Sequence, residues 1–279
     1  MQTIIITGGR TLQGAICPET AKNSVLPLLA ASLLCQGTVR LRAVPRLADV
    51  ETSIALLRAV GAGVQRCGSE LLLCAEKPLC GQIPAPLSGA MRSSVFYLAP
   101  LLCRTGSVRL PLPGGCRLGP RPVDIHLAGL AALGAAVELE GDAVTLRAPS
   151  GLHGADFALR LPSVGATLTL MMAACCAVGT TVLRGAACEP EVADTARFLS
   201  QCGAQIQGAG TPTLVIQGAE ALHGTAYTPM PDRIAAATYA AALACAGGEV
   251  SIAHCRPAYY AAFLSFLQRC GVEIFFSAD

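Results

Sequence analysis

The chain repeats itself with a period of about 70 residues, and this periodicity constrains its fold more than any other feature. A glycine-led strand pattern occurs as GTVRLRAVP from Gly37, GSVRLPLPG from Gly106, GTTVLRGAA from Gly179 and GGEVSIAHC from Gly247, in steps of 69, 73 and 68 residues. A second marker, a helix stopped by glycine just before a strand, occurs as LLRAVGAGV, LAALGAAVEL, FLSQCGAQI and FLQRCGVEI. Its glycines, Gly61, Gly134, Gly203 and Gly271, are spaced by 73, 69 and 68 residues. Two independent markers with matching steps define one structural unit used four times.

Each unit reads as helix, strand, helix, strand, turn, strand. Apolar residues recur at helical spacing over Val25–Leu34 and Ile54–Val60. Glycine then ends the second helix in the left-handed conformation it tolerates. Alternating strands follow, as at Ala136–Leu139 and Ala143–Arg147, joined by a Gly-Asp turn at Gly141 and Asp142. The expected class is α/β. Residues 22–229 hold three complete units and form one domain, while residues 1–21 with 230–279 form part of a second. In the fourth unit a strand is expected over Val272–Phe276, and the returning strand seen earlier as LLLCA, VTLRA and LVIQG is missing. Such an unpaired apolar edge leads us to expect a fragment, an early stop, or self-association through that edge.

Composition narrows the function classes. The net charge is +2 with no basic block, and aromatic residues make up 4%, which argues against a nucleic-acid surface. Fourteen cysteines without a C-x-x-C pair, in a long apolar chain, read as small core residues of a reducing compartment. His126, His153, His223 and His254 do not stand at metal-ligand spacing, so no metal and no cofactor are expected. MQTIIITGGR lacks the pattern of a signal peptide, and the apolar run Leu168–Val178 is too short to cross a bilayer. These readings point to a cytoplasmic protein with no membrane partner.

Chemistry-bearing residues fall at equivalent places in the units. Lys22 with Asn23, Arg92 in MRSS, Gly165 in PSVGAT and Arg233 in PDRI each stand 14 or 15 residues before a glycine-led strand, where the unit's first helix begins. Helix starts attract anions through their free N–H groups and dipole. Gathered around one cleft, they would hold phosphates and carboxylates; the alternative is four solvated surface positions. A glycine-rich loop, PLPGGCRLGPRPVDIHL over Pro111–Leu127, presents Cys116 beside Arg117 and Arg121. Those arginines would stabilise a thiolate or hold an anionic substrate near it; the alternative is an unreactive surface thiol.

AKN at Ala21–Asn23, MRSS, PGGCRLGPRPVDIHL, SVGAT, EPEVADTARFL and PDRI stand in the order and at nearly the intervals found in the UDP-N-acetylglucosamine enolpyruvyl transferases, which the chain resembles over essentially its whole length. The resemblance implies an inside-out α/β barrel of six repeat units in two domains, of which about four are present. It implies transfer of enolpyruvyl from phosphoenolpyruvate to the 3-hydroxyl of UDP-N-acetylglucosamine, the first committed step of peptidoglycan synthesis. Cys116 would be the catalytic general acid and the site modified by fosfomycin. Substrate-binding roles are implied for Lys22, Asn23, Arg92, Arg121, Pro122, Val123, Asp124, Ile125, Ser163, Val164 and Gly165. Leu161 departs from members that carry lysine there, and the region supplying the family's aspartate base and further arginines lies beyond Asp279. A non-catalytic UDP-sugar-binding or regulatory paralogue therefore remains the competing reading, and little turnover is expected of these 279 residues alone.

Overall fold

The computed structural model describes residues 3, 5, 7–111 and 123–276. The chain divides into two compact units, Lys22–Met230 and Met1–Ala21 with Pro231–Asp279. Strand β1 (Leu12–Ile16) belongs to the smaller unit, and the larger unit then follows as three repeats. The first comprises α1 (Lys22–Ala31), a 3₁₀ turn over Ser32–Leu34, β2 (Cys35–Gln36), β3 (Thr38–Leu41), α2 (Ala48–Ala59), β4 (Gly63–Cys67) and β5 (Glu70–Cys74). The second comprises α3 (Ala85–Ala90), a 3₁₀ helix over Arg92–Tyr97, α4 (Leu98–Thr105), β6 (Ser107–Pro111), α5 (Asp124–Ala132), β7 (Ala136–Glu140) and β8 (Ala143–Arg147). The third comprises β9 (Asp156–Ala158), α6 (Val164–Ala174), β10 (Thr180–Arg184), α7 (Pro190–Gln201), β11 (Gln205–Gln207) and β12 (Thr213–Gln217), and the chain leaves through β13 (Leu222–His223) and β14 (Ala226–Tyr227).

The predicted unit is present three times over, and its glycine markers mark what they were read to mark. Gly61, Gly134 and Gly203 follow α2, α5 and α7 with φ of 101°, 98° and 105°, a region that a side chain disfavours. In each repeat the glycine-led strand pairs antiparallel with the far strand of the hairpin: β3 with β5, β6 with β8, β10 with β12. Its other edge takes a parallel partner from a connecting segment. Gln82 bridges to Arg109 on β6, β9 pairs with β10, and the exit strand β14 pairs with β3. The last of these returns the chain to the first repeat, where β13 also pairs with β2. The larger unit is thus closed on itself by backbone bonding.

Helices lie inside this unit and sheets outside. In α1, eight of ten residues are buried, and in α6 nine of eleven. Alanine and leucine dominate these helices, so burial on all sides needs no polar stripe. α1 packs on α2, α7 and the Arg92–Tyr97 turn, and α6 packs on α4, α5 and that same turn. Close approach is built in at Gly129 of α5, where an added Cβ would lie 2.3 Å from Leu170 of α6. Strand residues alternate, as in β3, where Val39 and Leu41 are buried and Thr38 and Arg40 face outward. The expected inside-out α/β order is present, in separate sheets of four, three and four strands and the two-stranded β2–β13 pair, rather than one closed wall, among the described residues.

The smaller unit repeats the edge pairing, with β1 parallel to β15 (Gly248–Ile252) from Leu12↔Gly248 to Ile16↔Ile252. Its helix α8 (Arg233–Ala246) is capped by Asp232, whose Oδ1 accepts from the N–H groups of Ile234 and Ala235 at 2.8 and 3.0 Å. Although α8 is apolar around most of its circumference, only Ala236 in it is buried. A 3₁₀ turn over Pro257–Tyr259 leads into α9 (Ala261–Arg269), and Gly271 follows at φ 89°. The strand expected over Val272–Phe276 is not formed. A strand is stabilised by its ladder partners, none of which is present among the described residues, and Phe275 is left 86% exposed. The edge on which self-association was expected is therefore absent as a strand.

Candidate functional site

The larger unit brings three helix starts together around one imidazole. His126, on the first turn of α5, is 4% exposed, and its Nδ1 lies 3.0 Å from the Thr169 hydroxyl on α6. Gly165, at the second position of α6, sits against the opposite edge of the ring. A Cβ there would lie 3.0 Å from Cε1 and 3.1 Å from Nε2, and 3.8 Å from Phe96 in the 3₁₀ helix that Arg92 opens. Burial, reinforced by the positive charge of Arg92 and opposed by Asp124, lowers the His126 pKa to about 4. The ring is therefore neutral at physiological pH and acts as an uncharged wedge between the helix starts.

The expected site residues fall as follows. Ser163 is the N-cap of α6, its Oγ accepting from Ala166 N–H at 3.3 Å. The N–H groups of Val164 and Gly165 precede the point at which intrahelical bonding begins, so they are the donors such a terminus offers to an anion. Val123 is the residue before α5; Asp124 opens it and pairs with Arg160 (Nη2–Oδ2 2.5 Å), while Ile125 is buried. Arg92 begins the 3₁₀ helix with its side chain partly exposed. Lys22 begins α1, and its Nζ lies 2.9 Å from Asp49 Oδ2 on α2, with both side chains about two-fifths exposed. Asn23 beside it is exposed. Leu161 is 45% exposed just ahead of α6. Cys116, Arg117, Arg121 and Pro122 lie outside the described residues. Arg233 opens α8 in the smaller unit, so the fourth expected helix start belongs to a different unit from the other three.

The sequence reading missed two residues that shape this site. His126 was weighed only as a metal ligand. Its signal was its position: together with Ile125, Gly129 and Leu130 it forms the buried face of α5. Asp194, within EPEVADTARFL, is 2% exposed and accepts from Tyr227 Oη at 2.7 Å, Met230 N–H at 3.1 Å, Arg197 Nη2 at 2.8 Å and the Ser24 hydroxyl. It holds the start of α1, two residues past Lys22, to α7 and to the exit of the unit. Burial, with the neighbouring Asp194 charge, raises the pKa of Tyr227, so its hydroxyl remains a donor. Among the described residues no group of three or more His, Cys, Asp or Glu is placed to hold a metal, and no helix is long and apolar enough to cross a membrane.

Helix starts offer N–H donors, and here they lie beside Arg92 and a neutral ring, a set of groups whose chemistry suits an anion such as a phosphate. Comparison with known proteins gives these groups a context. Residues 6–276 match the family described as EPSP synthase (3-phosphoshikimate 1-carboxyvinyltransferase). A protein of Acidiphilium cryptum named UDP-N-acetylglucosamine 1-carboxyvinyltransferase is 44% identical over 98% of this chain and 66% of its own length. The chain thus spans about two thirds of the length of such relatives. The crystal structure of the enolpyruvyl transferase NikO from Streptomyces tendae superposes with a TM-score of 0.83 at 26% identity, over 98% of this chain and 65% of that one. An EPSP synthase structure from Acinetobacter baumannii, at 17% identity and a TM-score of 0.70 over 88% of this chain and 56% of its own, shares the fold.

Proposed function

Since the chain belongs to the EPSP synthase (3-phosphoshikimate 1-carboxyvinyltransferase) family, we propose that it serves enolpyruvyl transfer from phosphoenolpyruvate to the 3-hydroxyl of UDP-N-acetylglucosamine, in the cytoplasm, for peptidoglycan synthesis. The observation that carries this reading is the meeting of Arg92, Asp124 and the Ser163–Gly165 helix start around neutral His126, in a chain whose relatives are named for that sugar nucleotide. Ser163, Val164 and Gly165 would present N–H donors to the diphosphate, with Arg92 adding charge. Val123, Asp124 and Ile125 would border the nucleotide together with Arg121 and Pro122.

In the transfer, the sugar 3-hydroxyl gives its proton to a general base as its oxygen attacks C2 of phosphoenolpyruvate, while Cys116 protonates the methylene carbon to a methyl group. Phosphate then leaves C2 as a base takes a proton from the new methyl group, and the C–H electron pair restores the double bond. Lys22, with Asn23 beside it, and Arg121 would stabilise the charge that develops on the departing phosphate. Asp49 holds the Lys22 ammonium by an exposed pair, an interaction typically worth under about 1 kcal/mol, so an arriving phosphate competes for Lys22 at little cost.

The test is phosphate release from phosphoenolpyruvate, dependent on UDP-N-acetylglucosamine, by the protein as expressed from its own gene, alongside its Cys116→Ala variant. Release that requires both substrates and falls at least about a hundredfold in the variant supports the reading, as loss of a general acid should. Undiminished release in Cys116→Ala removes the role given to the thiol, and sugar-nucleotide binding without release leaves a UDP-sugar-binding protein.

A further inference from the structure

Lys22 and Asn23 stand on the first turn of α1, and that turn is short of one of its own bonds. Pro27 lies inside the helix. It has no N–H to donate to the Asn23 carbonyl four residues back, and its ring crowds that carbonyl. The exposed pair between Lys22 and Asp49 adds little to hold the turn in place. The turn is fixed instead from its buried side. Ser24, one residue past Asn23, is fully buried, and its hydroxyl donates to Asp194 Oδ2 on α7. The same carboxyl group accepts from Tyr227 Oη at 2.7 Å, Met230 N–H at 3.1 Å and Arg197 Nη2 at 2.8 Å. Ser24 is the third residue of the larger unit and Met230 its last, so one side chain holds both ends. A buried carboxylate with four donors converging on it cannot turn without breaking several bonds at once.

We propose that Asp194 is a positioning residue for the transfer, acting through the Ser24 hydroxyl to hold Lys22 and Asn23 where phosphoenolpyruvate meets them; this rests on the enolpyruvyl-transfer reading of those two residues. Ser24 and Asp194 are 0% and 2% exposed, so neither touches the substrate. Their bond sets where the side chains at positions 22 and 23 begin. Without it, a turn already lacking the bond from residue 27 to residue 23 is free to shift. Displacement of a substrate-orienting group by about 1 Å can cost on the order of a hundredfold in rate. The α6 start is built separately, by its Ser163 cap and its contact with His126. Loss of the Ser24 link should therefore weaken phosphoenolpyruvate and leave the sugar nucleotide nearly untouched. A bond that merely stabilised the fold would not separate the two ligands.

Calorimetry of the whole 279-residue chain tests this with two titrations, UDP-N-acetylglucosamine alone and phosphoenolpyruvate in its saturating presence. In Ser24→Ala, phosphoenolpyruvate should bind about tenfold or more weakly, with sugar-nucleotide affinity within about twofold of the native chain. Ser24→Cys keeps the shape with a weaker donor; it should fall between the two and replaces the alanine variant should that misfold. Tyr227→Phe removes a different bond to Asp194 and should lower the thermal midpoint without moving phosphoenolpyruvate affinity. The proposal is overturned if loss of the Ser24 hydroxyl leaves phosphoenolpyruvate binding unchanged, if both ligands weaken alike, or if Tyr227→Phe weakens phosphoenolpyruvate equally. Those results leave the transfer reading standing. A native chain that binds the sugar nucleotide but no phosphoenolpyruvate overturns the proposal and leaves a UDP-sugar-binding protein, and one that binds neither ligand overturns the transfer reading as well.

Discussion

His126 and Asp194 show how single side chains set the geometry of the larger unit. The imidazole titrates near 4 in the folded chain and near 6.5 when unfolded, so the unfolded chain takes up the proton first as pH falls. Stability contributed at this residue is therefore unchanged above about pH 6.5, declines between there and about 4, and levels off about 3 kcal/mol lower. Urea unfolding from pH 7 to pH 4 should show this decline in the native sequence and lose it in His126→Gln; equal slopes would rule out a buried neutral ring. Asp194→Ala strands three buried or half-buried donors and should cost about 3 kcal/mol by the same assay. Neither role was legible in the sequence, because the partners are remote. Asp194 is joined to Ser24 across 170 positions, and His126 to Thr169 across 43. The helix start at Gly165 was easier to read, since its distance from the glycine-led strand repeats that of the other units, whereas the Ser163 cap beside it was not read from the residues.

At the scale of elements, the glycine markers located the strands and the second helix of the three repeats in the larger unit, because a positive φ and a helix stop are written in one residue. What they could not show is which elements touch. The crossing of α5 over α6 rests on Gly129, and Gly129→Ala would push a methyl group into Leu170. That substitution should cost roughly 1–3 kcal/mol and lower the thermal midpoint, although alanine is the better helix former; an unchanged midpoint would mean the helices separate freely. The strand expected over Val272–Phe276 failed for the opposite reason. Alternation of residues describes a strand's faces, but only a neighbouring strand satisfies its backbone. Equivalent positions in the earlier repeats have that neighbour, as β4 has β5 across Gly63↔Cys74 to Cys67↔Glu70.

For the whole molecule, the two units differ in how much of their apolar surface is covered. In the larger unit the central helices are enclosed on every side, and the exit strands tie its end to its beginning. In the smaller unit α8 leaves Ile234 and Tyr239 about half exposed, and α9 buries only Leu267. Hydrogen exchange should accordingly be slow in α1 and α6 and faster by orders of magnitude in α8 and α9; equal protection would show α8 to be held by contacts as extensive as those around α6. The account as a whole depends on the helix starts around His126 forming a sugar-nucleotide diphosphate site. Isothermal calorimetry of the chain with UDP-N-acetylglucosamine tests it most directly. Saturable one-to-one binding, weakened about tenfold or more in a folded Arg92→Ala variant, is the predicted result, corresponding to at least about 1.4 kcal/mol. A folded chain that releases no binding heat, or an Arg92→Ala variant that binds as tightly as the native sequence, would contradict it.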